Sequence, residues 1–230
     1  MYTTFQIDPP WLERGGGKSV RGAQRHYPLL PTPKILEVVA ECPLFLPAEN
    51  AHMFMWVTDN FLKDGLWLME NLGFNFIRTF QWVKVKGKPK KLDFETGWAV
   101  EPEHTGRCRY VETADPFAQS EFPCTCGALE RFDIEVRYGI GQYARGAHEM
   151  MLFGVRGRGL DESVFSGRRD IPSVFFAPVP RGDDNLRIHS RKPDATYELI
   201  EARSNGPYLE LFSRRRYSER WTCWGNEAPA

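Results

Sequence analysis

Residues 2–11 read YTTFQIDPPW, a short β-rich run followed at once by two prolines. The run YTTFQI predicts a strand over residues 2–7. Because proline cannot extend a strand and holds the residue before it extended, we expect the chain to leave the sheet at Asp8. In an α/β fold this places Asp8 at the carboxyl end of a strand, where such folds bind ligands. Asp-Pro-Pro alone is equally typical of a plain strand-ending turn, and the rigid Trp11 beside it favours a ligand site.

The rest of the chain alternates between helix and strand patterns, which predicts the α/β class. Helices are expected at 33–42, 59–73 and 194–204, and strands at 51–58, 76–85, 149–155, 173–178 and 208–212. The strands are apolar enough to be buried on both faces, as in a parallel sheet covered by helices. We therefore predict a doubly wound sheet, with Gly73 ending the second helix as a left-handed cap.

The length of 230 residues suits a single hydrophobic core, so we expect residues 1–230 to form one domain. The segment from about residue 86 to residue 137 departs from the alternation, because it is rich in Lys, Glu, Pro and Gly. This composition predicts an inserted loop subdomain between two core strands.

Charge and hydropathy limit the classes of partner and compartment. Thirty basic and thirty acidic residues cancel, so binding to a polyanion must depend on local clusters of charge. Basic clusters lie within residues 14–26, 84–91, 156–169 and 214–216. Each alone is typical of a solvated surface, and together they favour loops around a phosphate-bearing ligand. Apolar runs stop well short of the roughly 20 residues of a membrane span and the start lacks a signal-peptide pattern, so we expect a cytoplasmic protein without membrane contact.

The residues around Asp8 suit methyl transfer to the exocyclic amino nitrogen of adenine. That nitrogen is a poor nucleophile because its lone pair is delocalised into the ring. The Asp8 carboxylate and the Pro9 main-chain carbonyl can each accept one amino hydrogen and so favour the pyramidal nitrogen that attacks a sulfonium methyl group. Pro9 and Pro10 would fix this geometry. Trp11 and Tyr27 would stack on the base once it leaves the helix.

Several short motifs follow one another in an order that is typical of one enzyme family. They are Asp8-Pro9-Pro10-Trp11, His26-Tyr27-Pro28, Trp56-Val57-Thr58, Trp82-Val83-Lys84, residues 139–149 and Gly154-Val155-Arg156-Gly157. With these motifs the chain resembles the amino-methyltransferases related to the catalytic subunit of the mRNA adenosine methyltransferase, a family that includes bacterial and phage DNA adenine methyltransferases. The resemblance implies a Rossmann-like methyltransferase fold, S-adenosylmethionine as cofactor and the N6 nitrogen of adenine as acceptor.

The same resemblance implies which residues hold the cofactor. In relatives, the lysine of a Ser-x-Lys-Pro segment meets the cofactor carboxylate, and Lys192 holds that position here. Residues after a Glu-Leu-Phe strand, with an asparagine near the end of the domain, hold the ribose and methionine parts. Cofactor binding is thus assigned to Ile7, Asp8, His189, Ser190, Lys192, Glu210, Phe212, Ser213, Arg214, Arg216, Asn226 and Glu227.

Alternatives remain for the substrate and for the class of function. DNA is the expected substrate, because no RNA-binding module fits in so short a chain, and RNA adenosine is the alternative. A catalytically silent subunit that binds nucleic acid is a different class, and the intact Asp8 and Lys192 favour activity. Methylation of a small nucleotide or of a protein side chain is a third reading on the same fold. The sequence does not give the oligomeric state, and a homodimer or a complex with a partner subunit is compatible with it.

The predicted insertion contains a potential set of metal ligands. His104 and Cys108, followed by Cys124 and Cys126, supply four ligands that suit a closed tetrahedral zinc site. Metal binding would also help to order a segment with few large apolar residues. We predict a structural zinc ion here. The alternative is a loop with reduced thiols, since Cys-x-Cys is tighter than the usual Cys-x-x-Cys spacing.

Overall fold

Nine strands and three α-helices make up the part of the chain that the computed structural model describes, which is residues 1–12, 28–101, 136–138, 145–182, 186, 188, 190–226 and 228. The strands are β1 (Tyr2–Ile7), β2 (Pro47–Val57), β3 (Asn75–Val85), β4 (Lys88–Asp93), β5 (Trp98–Glu101), β6 (His148–Arg156), β7 (Val174–Pro178), β8 (Tyr208–Leu211) and β9 (Trp221–Trp224). The helices are α1 (Thr32–Ala40), α2 (Leu62–Asn71) and α3 (Asp194–Arg203), and a 3₁₀ turn at Asp59–Phe61 precedes α2. None of these helices is both long and apolar enough to cross a membrane.

The strands form one mixed sheet in the order β4-β5-β7-β3-β6-β2-β1-β8-β9. β1 runs parallel to β2 and β8, and β9 runs parallel to β8. β6 is antiparallel to both β2 and β3, and β4 is antiparallel to β5. Because β7 is parallel to β3 and β5, every described strand except β4 and β6 shares one direction. The carboxyl ends of these strands therefore lie at one edge of the sheet.

The sheet reverses its direction of growth between β1 and β8. From β1 the chain passes through α1 to β2 on one side, whereas β8 leads to β9 on the other side. Neighbouring parallel strands with diverging connections leave a crevice at their carboxyl ends, where open α/β sheets bind ligands. Asp8 follows β1 and Phe212 follows β8, so both residues lie at this crevice.

Helices pack on both faces of the sheet. α1 and α2 cover one face and α3 covers the other, and each face has its own cluster of buried apolar side chains. Alternation along β2 shows the division, because Met53 and Met55 join the first cluster while Phe54 and Trp56 join the second. Each fully buried side chain of this size contributes about 1.5–3 kcal/mol to stability. The central strands are thus held from both sides, and the edge that carries the crevice is fixed.

The predicted α/β class is confirmed, and the strands and helices lie close to the predicted ranges. β1 has the predicted bounds, and β2 begins four residues earlier than predicted. Gly73 has a φ angle of 84°, the left-handed conformation predicted for the end of the second helix. Hydrophobic periodicity was therefore sufficient to locate most of the core elements.

The expectation of a parallel sheet is wrong for β4 and β6. β6 starts at the edge where β3 ends, and an antiparallel neighbour needs no crossover helix. An apolar strand pattern carries no information on this direction. β4 and β5 also continue the sheet within residues 88–101, at the start of the predicted insertion. β9 is a short strand that the sequence pattern did not predict.

Gly65 tests the packing of α2 on β2. A Cβ atom at this position would lie 2.4 Å from Val57 Cγ1 and 3.1 Å from Leu152 Cδ1. We predict that Gly65→Ala lowers the free energy of unfolding by about 1–3 kcal/mol, because the overpacking exceeds the gain in helix propensity. Urea denaturation measures the change. Gly146→Ala, where a Cβ meets nothing within 4 Å, is the control. A Gly65→Ala variant as stable as the wild type would contradict this packing.

Candidate active site

The crevice gathers four charged side chains from distant parts of the sequence. Asp8 follows β1, and Lys192 lies two residues before α3. Since β6 is antiparallel, its first residues lie at the carboxyl edge, where Glu149 pairs with Trp82 of β3. Lys84 lies two residues further along β3 and completes the group.

These side chains form a row of alternating charges. Lys192 Nζ donates to Asp8 Oδ2 at 2.8 Å and lies 3.3 Å from Glu149 Oε2. Lys84 Nζ lies 2.7 Å from the other carboxylate oxygen of Glu149. Lys192 Nζ is also 3.4 Å from the main-chain oxygen of Ser190. Every charge in the row therefore contacts an opposite charge, which buried charges require.

Burial and charge act against each other in this row. The Lys192 side chain is only 9% exposed, whereas that of Asp8 is 28% exposed. Burial raises the pKa of the Asp8 carboxyl above its ordinary value, although Lys192 acts to lower it. Burial acts to lower the pKa of Lys192, but Asp8 and Glu149 outweigh it and this pKa is raised. Burial acts to raise the pKa of Glu149, but Lys192 and Lys84 outweigh it and this pKa is lowered. The row therefore keeps Lys192 protonated and Glu149 ionised.

Two tryptophans lie beside the cations. Lys192 Nζ is 5.0 Å from the centroid of the Trp56 ring, and Lys84 Nζ is 5.3 Å from that of Trp82. The two rings meet edge to face with their centroids 6.3 Å apart. Cation–π attraction at these distances helps to hold each ammonium group in place.

Trp11 anchors the turn that follows Asp8. Its Nε1 donates to the main-chain oxygen of Trp56 at 3.0 Å, and its ring stacks on Phe61 with centroids 5.3 Å apart. The Trp11 main-chain N–H donates to the Pro9 carbonyl at 2.9 Å. The side chain is 6% exposed. These contacts are internal to the protein, and the stacking of Trp11 on a base stays a prediction.

A second buried polar group lies between β1 and β8, directly before the crevice. Gln6 Nε2 donates to Glu210 Oε1 at 3.0 Å, and the Tyr197 hydroxyl donates to the same oxygen at 2.9 Å. Gln6 Oε1 and Glu210 Oε2 are buried and have no hydrogen-bond partner among the described residues. Burial raises the pKa of Glu210 to about 7, although the hydrogen bond from Tyr197 opposes that shift, as do Ser213 and Gln6.

The turn after β8 brings the ends of β8 and β9 close together. Phe212 has a φ angle of 61°, and the Ser213 main-chain N–H donates to the Trp224 carbonyl at 3.0 Å. The Ser213 hydroxyl donates to the Arg215 carbonyl at 2.6 Å. A Cβ atom on Gly225 would lie 2.6 Å from the Ser213 carbonyl oxygen, so this approach requires glycine.

The structure brings together some of the predicted site residues and leaves others apart. Asp8 and Lys192 are in direct contact, and Ser190 touches Lys192. The side chain of Ile7 is fully buried in the core, and Ser213 is 2% exposed. Pro9 is buried and Pro10 half-buried at the turn, whereas Arg214, Arg216 and Asn226 are exposed. Outside the described residues lie Tyr27, His189 and Glu227, together with the four predicted zinc ligands His104, Cys108, Cys124 and Cys126.

Sequence reasoning missed two members of the charged row. Glu149 and Lys84 each lie in a recognised motif but were not predicted as site residues. The signal was weak, because a glutamate at a strand start and a lysine at a strand end are ordinary surface features. Only the antiparallel pairing of β6 with β3 places both beside Lys192.

A Rossmann-like α/β sheet with charged groups at its switch point defines a fold for nucleotide-like ligands. The MT-A70 family model matches residues 132–227. The predicted resemblance to the MT-A70-related methyltransferases, a family of S-adenosylmethionine-dependent enzymes, is confirmed over this region, which is less than half of the chain. The matched region includes Glu149, Lys192 and Glu210, while β1 with Asp8 lies outside it. A comparison with curated proteins found no match.

The crevice fits the chemistry of S-adenosylmethionine, which carries an amino group, a carboxylate and ribose hydroxyls. Asp8 and the unpartnered Glu210 Oε2 are acceptors for amino or hydroxyl hydrogens, and Lys192 is a cation for a carboxylate. Buried acceptors without a protein partner are costly unless a ligand or water satisfies them. The two orphan oxygens beside the crevice are therefore consistent with a bound polar ligand.

Glu210 should make stability depend on pH. Its pKa is raised from 4.5 to about 7 in the folded state, so the folded protein holds this proton more tightly than the unfolded chain does. The resulting stabilisation is complete below pH 4.5 and is lost as the pH rises through about 7. Relative to Glu210→Gln, the wild type should lose up to about 3 kcal/mol of unfolding free energy across this interval. Urea denaturation of both proteins over a pH series measures the difference, with the exposed Glu219→Gln as control. A wild-type-to-Glu210→Gln difference that does not vary with pH would contradict the raised pKa.

Proposed function

We propose that the protein transfers the methyl group of S-adenosylmethionine to the N6 amino nitrogen of adenine in DNA. The observation that carries this proposal is the Asp8 carboxylate, held by Lys192 at the switch point of the sheet. The family match implies adenine N6 methylation with this cofactor. The residues that act on the base and the nature of the polymer are the parts that we infer.

Asp8 is proposed to accept a hydrogen bond from one of the two hydrogens of the target amino group. Its side chain is anchored by Lys192 yet remains 28% exposed, so one carboxylate oxygen can still reach a ligand. The Pro9 carbonyl oxygen accepts a hydrogen bond from Trp11 and keeps a second lone pair for the other amino hydrogen. Two fixed acceptors favour the pyramidal nitrogen that is nucleophilic, and they need no reorganisation during the reaction.

Lys192 is proposed to have two roles. Its ammonium group orients Asp8, and its positive charge opposes protonation of that carboxyl, which burial alone would favour. An ammonium group has three hydrogens, and Asp8 and Glu149 account for two of them. The third lies near the Ser190 carbonyl at 3.4 Å and the Trp56 ring, both weaker partners than a carboxylate, so we propose that it turns to the carboxylate of the cofactor.

The remaining cofactor contacts are proposed from position in the fold. Glu210, Phe212 and Ser213 lie at the carboxyl end of β8, and Arg214, Arg216 and Asn226 lie on the exposed segments beside it. S-adenosylmethionine, when bound there, supplies the activated methyl group. Glu210 and Asn226 suit its hydroxyl and amino groups. The close approach of Gly225 to Ser213 holds the ends of β8 and β9 together beside this site.

The architecture of the sheet limits where the target base, in DNA or in RNA, can enter the site. Many RNA-recognition modules stack bases on aromatic side chains of an open sheet face. Here the buried clusters that pack against α1, α2 and α3 occupy both faces of the described central strands. The base must therefore enter at the carboxyl edge, as a base that has left its stack does. RNA remains the alternative substrate.

Activity with labelled S-adenosylmethionine tests the proposal. The purified protein should form N6-methyladenine in unmodified DNA, with less product from RNA of the same sequence. Asp8→Asn should lower kcat by about 10²–10³-fold, because the amide is neutral and offers a weaker acceptor. Asp170→Asn, at an exposed carboxylate that pairs with Arg168, is the matched control. Near-normal turnover of folded Asp8→Asn would overturn the role of Asp8. Methylation of RNA alone would overturn the DNA assignment.

A further inference from the structure

A groove of about 630 Å³ opens at the carboxyl edge of the sheet, next to the charged row. The end of β3 and the start of β4 form one wall, and the segments after β7 and before α3 form the other. Arg137 joins the first wall, because its main-chain N–H donates to the Lys84 carbonyl at 2.8 Å. Arg191 lines the second wall and directly precedes Lys192. The groove therefore begins beside the site of the proposed chemistry.

The side chains that line this groove are strongly biased in charge. Six of the described lining residues are basic: Lys86, Lys88, Lys90, Arg137, Arg181 and Arg191. The acidic residue among them is Asp194, whose carboxylate is already paired with Arg215. Arg191 Nε is buried and has no hydrogen-bond partner among the described residues. Because the whole chain has a net charge of zero, this bias is local.

The positive charge of the groove is complementary to the phosphate backbone of a nucleic acid. Lys88 and Lys90 lie on the same face of β4 and both line the groove, whereas Lys91, the next residue along the strand, does not. A row of lysines and arginines along an open groove neutralises successive phosphates and releases their counterions on binding. Backbone contacts of this kind position a strand without reading its sequence.

We propose that this groove binds the phosphodiester backbone of the substrate strand beside the target adenine. The inference deepens the proposed function and rests on it for the position of the adenine. Phosphates held in the groove would set the path of the strand, so that the flipped base reaches Asp8. The segment at the start of the predicted insertion thereby acquires a role, since β4 supplies one wall.

The double variant Lys88→Gln/Lys90→Gln tests the groove. Fluorescence anisotropy with labelled DNA duplex, single-stranded DNA and RNA of one sequence, over a range of salt concentrations, gives both the affinity and its salt dependence. The loss of two phosphate contacts should weaken DNA binding about tenfold or more and should reduce the slope of log K against log salt by about 1.4–1.8. The KM for DNA should rise with kcat retained, and S-adenosylmethionine affinity measured by calorimetry should not change.

The matched control is Lys63→Gln/Lys91→Gln, which removes two exposed lysines that do not line the groove. If the two double variants bind nucleic acid equally well, the groove proposal is wrong, whatever the outcome of the methylation assay. If Lys88→Gln/Lys90→Gln weakens binding while the wild type methylates RNA alone, the groove stands and the DNA assignment falls. These two failures are therefore distinguishable.

Discussion

The buried ammonium of Lys192, held between the carboxylates of Asp8 and Glu149, is the interaction on which the rest of the site depends. It connects three segments that are far apart in sequence: the turn after β1, the start of β6 and the segment before α3. An uncompensated charge at 9% exposure would be costly, so this contact requires all three segments to be in place. The fold and the site are thus specified by the same contact.

A second buried carboxyl, that of Glu210, lies inside the sheet, where Gln6 and Tyr197 donate hydrogen bonds to it. A buried carboxyl between two parallel strands lowers stability when it is ionised, and a hydrophobic residue would be the cheaper choice for folding alone. Because Glu210 lies near the end of β8, beside the crevice, we propose that this cost serves ligand binding. Asp8 is partly exposed at the crevice, whereas Glu210 is enclosed behind it.

The sequence was sufficient to predict the elements that carry strong periodicity, and it placed Asp8 at the end of β1 from the two prolines alone. It could not give the direction of β6, because an apolar strand looks the same in either orientation. For that reason Glu149 and Lys84 were not predicted as site residues, because the antiparallel pairing of β3 with β6 is what places them beside Lys192. β5 and β9 were missed because a strand of four residues is too short to show periodicity, and β4 was missed because its charged sequence resembles a loop. The structure shows Trp11 as an anchor of the turn, and its stacking on a base stays a prediction.

A double-mutant cycle across Asp8 and Lys192 tests the central claim most directly. The free energy of unfolding is measured for the wild type, Asp8→Asn, Lys192→Met and the double variant. We predict a coupling energy of about 1.5–3 kcal/mol. The losses of unfolding free energy in the two single variants should add up to more than the loss in the double variant, because each single variant leaves a charge without its partner. Additivity within about 0.5 kcal/mol would show that the two side chains act independently, and the account of the site would be contradicted.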